Sequence, residues 1–340
     1  MSHAPASIQP APSPGDLFSK PPDRRRQPVV VDANALIEDA VYRTDHEWSA
    51  LSALARSDQV TLLAPAQIDA EVYKHLPRVA GMTGRNSTLA VSMWEEHYRP
   101  FIRFVDVSAG LLADAGAAAV AEADVDDAPV MALARFVGPA LVVTRDKHIT
   151  RAGTGESDWL TGLHLLGGLT ELDAKLWGGA QAAWLTVSLP AVGLHELGKL
   201  LARNPWALGA MLGAGLFLVT EVRPDLRRGV GTLGQRIAPT FLRAIEAADA
   251  TLQQRAAQTR ALERYLVEPP EERGLTAHAA RLLAQAGRPL PLVNVHHEMS
   301  YGYGDVSLNA VRTAMNCEPA FRAIRGRGYD LGSLGSPAWR

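Results

Sequence analysis

Val29-Val30-Val31-Asp32-Ala33-Asn34-Ala35-Leu36-Ile37 is the stretch on which the reading of the fold turns. Three consecutive valines make a short unbroken apolar run, which is how a strand buried on both faces reads. The run stops at an acid. The same arrangement returns at Leu141-Val142-Val143-Thr144, followed by Arg145-Asp146-Lys147. Between the two, the pattern predicts strands over 60–63 and 101–107. Helical spacing runs through 51–56, 66–76, 89–97, 110–121 and 129–136. Short β-branched runs that alternate with longer amphipathic stretches predict an α/β fold, a parallel sheet sandwiched by helices.

Such a sheet binds ligands beyond the carboxyl ends of its strands, where Asp32 and Asp146 are expected. Each admits a second reading: Asp32 as the cap of the helix that follows, Asp146 as a turn acid paired with Arg145 or Lys147. Glu71 borders the apolar stripe Ile68, Val72 and Leu76, whereas Asp69 points nearly the other way. Its alternative is a glutamate that reaches solvent. Asp124, Asp126 and Asp127 crowd the start of a helix favoured by Pro129. Helix N-termini welcome negative charge, but three acids exceed what one cap needs. Hard oxygen ligands of this kind suit magnesium or manganese. Without a cation, clustered carboxylates raise one another's pKa.

These residues carry a resemblance. The stretch 29–37 resembles the opening strand and Asp-x-Asn element of PIN-domain nucleases, and 64–72 resembles the motif that supplies their glutamate. The third and fourth motifs are similar to 127–134 and 142–147, so the likeness covers residues 28–170 in the expected order. It implies a PIN-like fold and a metal-dependent endoribonuclease, most often the toxin half of a bacterial toxin and antitoxin pair. Asp32, Glu71, Asp127 and Asp146 would form the acidic site for Mg2+ or Mn2+, with Asn34 and Thr144 as supporting polar groups. Asp124 and Asp126 would substitute for or assist Asp127. The implied chemistry is attack of a metal-activated water on phosphorus, with no side-chain nucleophile. Lys74, Arg85, Arg145 and Lys147 are candidates for gripping phosphate, and each also reads as a solvated surface charge. The chain continues well beyond residue 170, unlike the small stand-alone toxins.

A length of 340 residues exceeds the roughly 250–300 at which single cores stop growing, so more than one folding unit is expected. The net charge of −2 provides no global field, and a bound polyanion would need a local basic patch. Cys317 is the only cysteine, which excludes an internal disulfide, fits a reducing compartment and reads as a packed structural residue. Residues 1–27, rich in Pro, Ser and Ala and closed by Arg24, Arg25 and Arg26, read as a disordered arm without a secretory signal. The region 171–270 reads as helical. Within it, 176–194 and 205–220 lack charged side chains. This places a hydrophobic hairpin over 176–222, read either as membrane-associated or as packed on protein. A long surface helix is expected over 240–266.

Residues 271–340 read as a small α+β domain. Helices are predicted at 280–286 and 306–315, and a hairpin flanks Arg325-Gly326-Arg327-Gly328. That order resembles a winged helix, which implies DNA or RNA contact. The helix with Asn309 and Arg312 would enter a groove, and Arg322, Arg325 and Arg327 would engage phosphates. Such domains also serve as protein-docking modules. Neither His296, His297 and Glu298 nor His195 and Glu196 has the two histidines four apart of a helical zinc site. The expected protein is cytoplasmic, membrane-associated if 176–222 inserts. Its expected partners are RNA, an antitoxin or other protein, and further copies of itself. The competing class is a winged-helix nucleic-acid-binding regulator with a non-catalytic PIN-like scaffold.

Overall fold

The apolar run that opens the pattern forms β1 (Gln27–Val31) of the computed structural model, with Val29, Val30 and Val31 fully buried. The structure describes residues 25–57, 59–153, 160–169, 171–172, 250–270, 274–303 and 305–335. β1 is central. It pairs in parallel with β2 (Val60–Pro65) on one side and β4 (Ala140–Val143) on the other, so that Val29 faces both Leu62 and Leu141. β3 (Ile102–Val105) extends the parallel set beyond β2. The order β4-β1-β2-β3 reverses direction between β1 and β4, and that reversal opens a crevice at the carboxyl ends of the two strands.

Helices flank the sheet. α1 (Ala33–Tyr42) leaves β1, and α2 (Ala50–Ala55) precedes β2. α3 (Gln67–Met82) and α4 (Ser87–His97) connect β2 to β3, and α1 packs on both. The chain reaches β4 through α5 (Ala109–Leu112), α6 (Ala115–Ala121) and α7 (Ala128–Val137), then enters α8 (Lys147–Gly153). Almost every residue of α7 is buried, and the helix rests on β1, β2 and β4.

Two local expectations are corrected. The helix expected to stop at residue 76 continues through Pro77 to Met82, because buried Ala80 prolongs the stripe Ile68, Val72 and Leu76. Burial there offsets the roughly 3 kcal/mol that an interior proline costs. The single helix expected over 110–121 is two. Asp114 interrupts it by accepting hydrogen bonds from the Gly116 and Ala117 amides at 2.9 and 3.4 Å, starting α6 afresh.

Contacts group residues 25–168 with 259–340 as one compact unit, and 1–24 with 169–258 as another. This grouping differs from the division at 170 and 270 expected from sequence. Within the first unit, β5 (Leu266–Val267) adds antiparallel to β4, and β8 (Ser333–Leu334) adds antiparallel to β3. The late part of the chain thus covers both edges of the parallel sheet, which would otherwise expose unpaired backbone groups. Leu266, expected at the end of a long helix, lies in β5; the described helical stretch there is 250–263.

α9 (Leu275–Ala286) rests on α7, β1 and β2, and α10 (Leu292–Tyr303), α11 (Leu308–Cys317) and the hairpin β6 (Phe321–Ile324) and β7 (Gly328–Leu331) follow. The hairpin and the helix before it lie where they were expected; α10 was not foreseen. Arg103 on β3 and Asp330 on β7, each 5 % exposed, form an ion pair, and Arg103 also donates to the Gly287 carbonyl at 2.7 Å. The Phe136 and Phe321 rings meet at 6.1 Å. β7 turns into β8 at Gly332 (φ +66), where a Cβ would collide with the Phe104 carbonyl.

Arg25, Arg26 and Gln27 are described and bonded, so the expected arm does not include them. Arg25 pairs with Glu298 at 3.5 Å, the Arg26 amide donates to Gln285, and Gln27 opens β1. Residues 1–24 and the hydrophobic hairpin expected over 176–222 lie outside the described residues. Among the described residues, no helix is long and apolar enough to cross a membrane.

Candidate active site

The acids gather where β1 and β4 end. The Asp32 amide donates to the Val143 carbonyl at 3.0 Å, which locks the first residue after β1 to the last residue of β4. Thr144 then joins the two acidic positions: its Oγ1 donates to Asp32 Oδ2 at 3.0 Å and accepts from the Asp146 amide at 2.9 Å. Asp32 is 3 % exposed and Thr144 1 %. Asp146 Oδ1 accepts from the His148 amide at 2.5 Å, inside the first turn of α8.

The alternative role of Asp32 as a helix cap is resolved by comparison within the molecule. Ser49, Asn86, Ser108 and Ser307 cap their helices by accepting backbone amides at 3.1, 3.0, 3.3 and 3.2 Å. Asp32 and Asp127 also occupy N-cap positions, yet neither side chain forms a well-directed capping hydrogen bond. The amides of Ala33 and Asn34 lie near enough to favour the Asp32 charge, but burial outweighs them. The Asp32 pKa is raised by burial first, opposed by the Thr144 hydrogen bond and reinforced by the charge of Asp146.

Asp127 arrives from the other side, at the start of α7, and its Oδ2 is buried with no hydrogen-bond partner. Its pKa is pushed up to about 7 by burial and then by the negative charges of Asp146, Asp32 and Asp124. Glu71, on α3 between buried Ile68 and Val72, is also raised, by burial first and then by Asp32 and Asp126; Lys74 opposes this. The loop before α7 is held by the Asp126 amide donating to Asp124 Oδ1 at 2.9 Å. Gln67 Nε2 also reaches the Asp126 carbonyl at 3.2 Å. Asp32, Asp127 and Asp146 therefore act on one another electrostatically, and Glu71 joins them through Asp32.

Proximity is not coordination. Among the described residues, no group of three His, Cys, Asp or Glu side chains is arranged to hold a metal ion as it stands. The chemistry of the donor set nonetheless fits a hard divalent cation, since buried Asp127 Oδ2 lacks any partner and every neighbouring acid adds repulsion.

Asn34 is exposed. Of the candidate phosphate ligands, Arg145 pairs with Glu38 at 2.6 Å, Arg85 pairs with Asp45, and Lys74 and Lys147 are exposed. Arg312 on α11, Arg322 on β6, and Arg325 and Arg327 in the β6–β7 turn are also exposed.

Sequence reasoning missed a second carboxylate site on α1. Asp39 Oδ2 accepts from Ser49 Oγ at 2.5 Å and from Tyr98 Oη at 2.6 Å, and burial raises the pKa of both Asp39 and Tyr98. The signal was available in part, because Asp39 follows Asp32 by seven residues and so shares its helix face. Tyr98, 59 residues on, was not foreseeable. No family model, curated protein or solved structure matches the chain.

Proposed function

We propose that the chain is a divalent-metal-dependent ribonuclease of PIN type. The observation that carries this reading is buried Asp32 tied through Thr144 to Asp146, with Asp127 Oδ2 buried without a hydrogen-bond partner and the Asp127 pKa raised by burial and then by both acids. An edge that concentrates negative charge without a counter-charge is unfavourable unless a cation completes it.

Asp32, Asp127, Asp146 and Glu71 would hold Mg2+ or Mn2+ through oxygen. When bound, the ion supplies an activated water and stabilises charge on the phosphoryl oxygens. The chain's own residues prepare the site. Thr144 fixes the Asp32 carboxylate and the turn that presents Asp146. Arg145 and Lys147, flanking Asp146 in sequence, bind substrate phosphate, and Asn34 supports at the exposed rim. Exposed Arg312, Arg322, Arg325 and Arg327 contact nucleic acid outside the site.

A second reading, a nucleic-acid-binding regulator with an inactive PIN-like scaffold, is favoured by the absence of a preassembled three-ligand group among the described residues. Purified protein incubated with labelled structured RNA, with and without Mn2+, beside Asp32→Asn separates the two. The nuclease cuts only with metal, and the variant loses about a hundred-fold or more of the activity. Equal cutting by both proteins points to a contaminant, and no cutting by either leaves the regulator.

A further inference from the structure

A pocket of about 350 Å³ opens between α1, the residues that lead into α2, Arg145 and the stretch holding Leu160 and His164. Tyr42, Trp48, Asp39, Glu38, Arg145 and His164 contribute to its wall. We propose that it binds one unstacked base of single-stranded RNA, beside a backbone phosphate held by Arg145. This rests on reading the strand-end carboxylates as an RNA site.

Two aromatic residues of its wall are exposed. Trp48 is 69 % exposed and Tyr42 50 %. The Tyr42 ring stacks on His46 with centroids 3.7 Å apart and planes within 4°, and His46 Nδ1 bonds the Tyr42 carbonyl at 2.8 Å. An isolated exposed aromatic is ordinary on a protein surface. Two of them around one cavity with a cation and a carboxylate form a stacking platform of the kind that holds single-stranded bases.

The cation is Arg145, which neighbours Thr144 and Asp146 in the chain and is oriented by Glu38. It therefore stands between pocket and acids. Ala35, also in the wall, lies one helical turn along α1 from Asp32, and Asp39 lies two turns along. The wall residues of α1 thus run from about 5 Å (Ala35) to about 15 Å (Tyr42) from Asp32 along the helix axis. Asp39, pre-set by Ser49 and Tyr98, offers an acceptor for the N–H groups of a base edge. The volume is at the small end of ligand pockets, suited to one nucleotide rather than a duplex.

The test measures anisotropy of a fluorescein-labelled short oligouridine and a labelled RNA duplex with full-length protein in EDTA, where nothing is cut. Trp48→Ala is expected to weaken single-strand binding by roughly 5- to 150-fold, with duplex affinity and melting temperature unchanged. Trp48→Phe restores most of the loss. Wild-type single-strand affinity in Trp48→Ala, or an equal loss on the duplex, overturns the pocket. Parallel assays with Mn2+ separate the two ideas. A wild type that never cuts but needs Trp48 to bind retains the pocket and loses the nuclease. A wild type that cuts, with an unchanged KM in Trp48→Ala, retains the nuclease and loses the pocket.

Discussion

The seam between β3 and the C-terminal hairpin and the edge formed by β1 and β4 both bury charge, and they treat it in opposite ways. At the seam, Arg103 meets Asp330 inside the protein, each 5 % exposed, with a further hydrogen bond to Gly287. Arg99 likewise grips both oxygens of Asp69 at 2.9 Å, and Arg135 meets Asp114. At the strand ends, Asp32 finds a threonine hydroxyl, Asp127 Oδ2 is buried without a hydrogen-bond partner, and the charges that raise both pKa values belong to other acids. Among the described residues, Asp330, Asp69 and Asp114 each meet an arginine, and half-buried Asp39 is held instead by the Ser49 and Tyr98 hydroxyls. At the strand-end edge, burial of Asp32 and Asp127 is reinforced by neighbouring acids rather than offset by a cation.

The contrast can be broken first at the seam. Arg103→Met leaves Asp330 buried without its partner and is expected to cost about 3–5 kcal/mol, read from denaturant unfolding. The double variant Arg103→Met/Asp330→Leu recovers most of that loss. A single variant as stable as wild type would show that the seam does not depend on charge pairing.

At the acidic edge, Thr144→Val removes the hydroxyl that serves Asp32 and Asp146 together. Titration with Mn2+ is expected to show roughly 10- to 100-fold weaker binding, the usual consequence of losing a group that orients metal ligands. Unchanged affinity would mean that the bridge does not organise the site.

The smallest effect sharpens the electrostatic claim. The folded pKa of Asp127, about 7, lies above its ordinary value of 3.8. The folded state therefore holds this proton more tightly than the unfolded chain. The associated stability is complete below about pH 4 and is lost as pH rises through about 7. In metal-free buffer at pH 8, Asp127→Asn should melt above the wild type, and its melting temperature should fall less between pH 5 and pH 8. Mn2+ should close the gap by stabilising the wild type alone. A wild type whose melting temperature rises over that interval by more than that of the variant would overturn the reading of crowded, repelling carboxylates.

Much of the sheet was legible because buried parallel strands leave a local signature. The runs at 29–31, 60–63 and 141–143 needed no knowledge of their neighbours. Asp32 was legible for the same reason, since an acid straight after such a run is placed by the strand itself, and Asp146 follows the end of β4 at three residues. The two-residue strands β5 and β8 were not, being too short to show any period. Nor was Asp114 as an interruption between α5 and α6, because an acid within an Ala-rich run looks like a solvated helix residue.

Periodicity and residue type, properties of adjacent positions, thus determined the alternation of strands and helices and the presence of acids at strand ends. Tertiary structure decided what lies far apart in sequence. Residues 259–335 supply the sheet's edges and the counter-ion of Arg103, and Thr144 sits between two carboxylates 114 residues apart. The physical reason is that hydrogen bonding and charge burial act over a few ångströms of space regardless of chain distance, and a one-dimensional pattern holds no record of those distances.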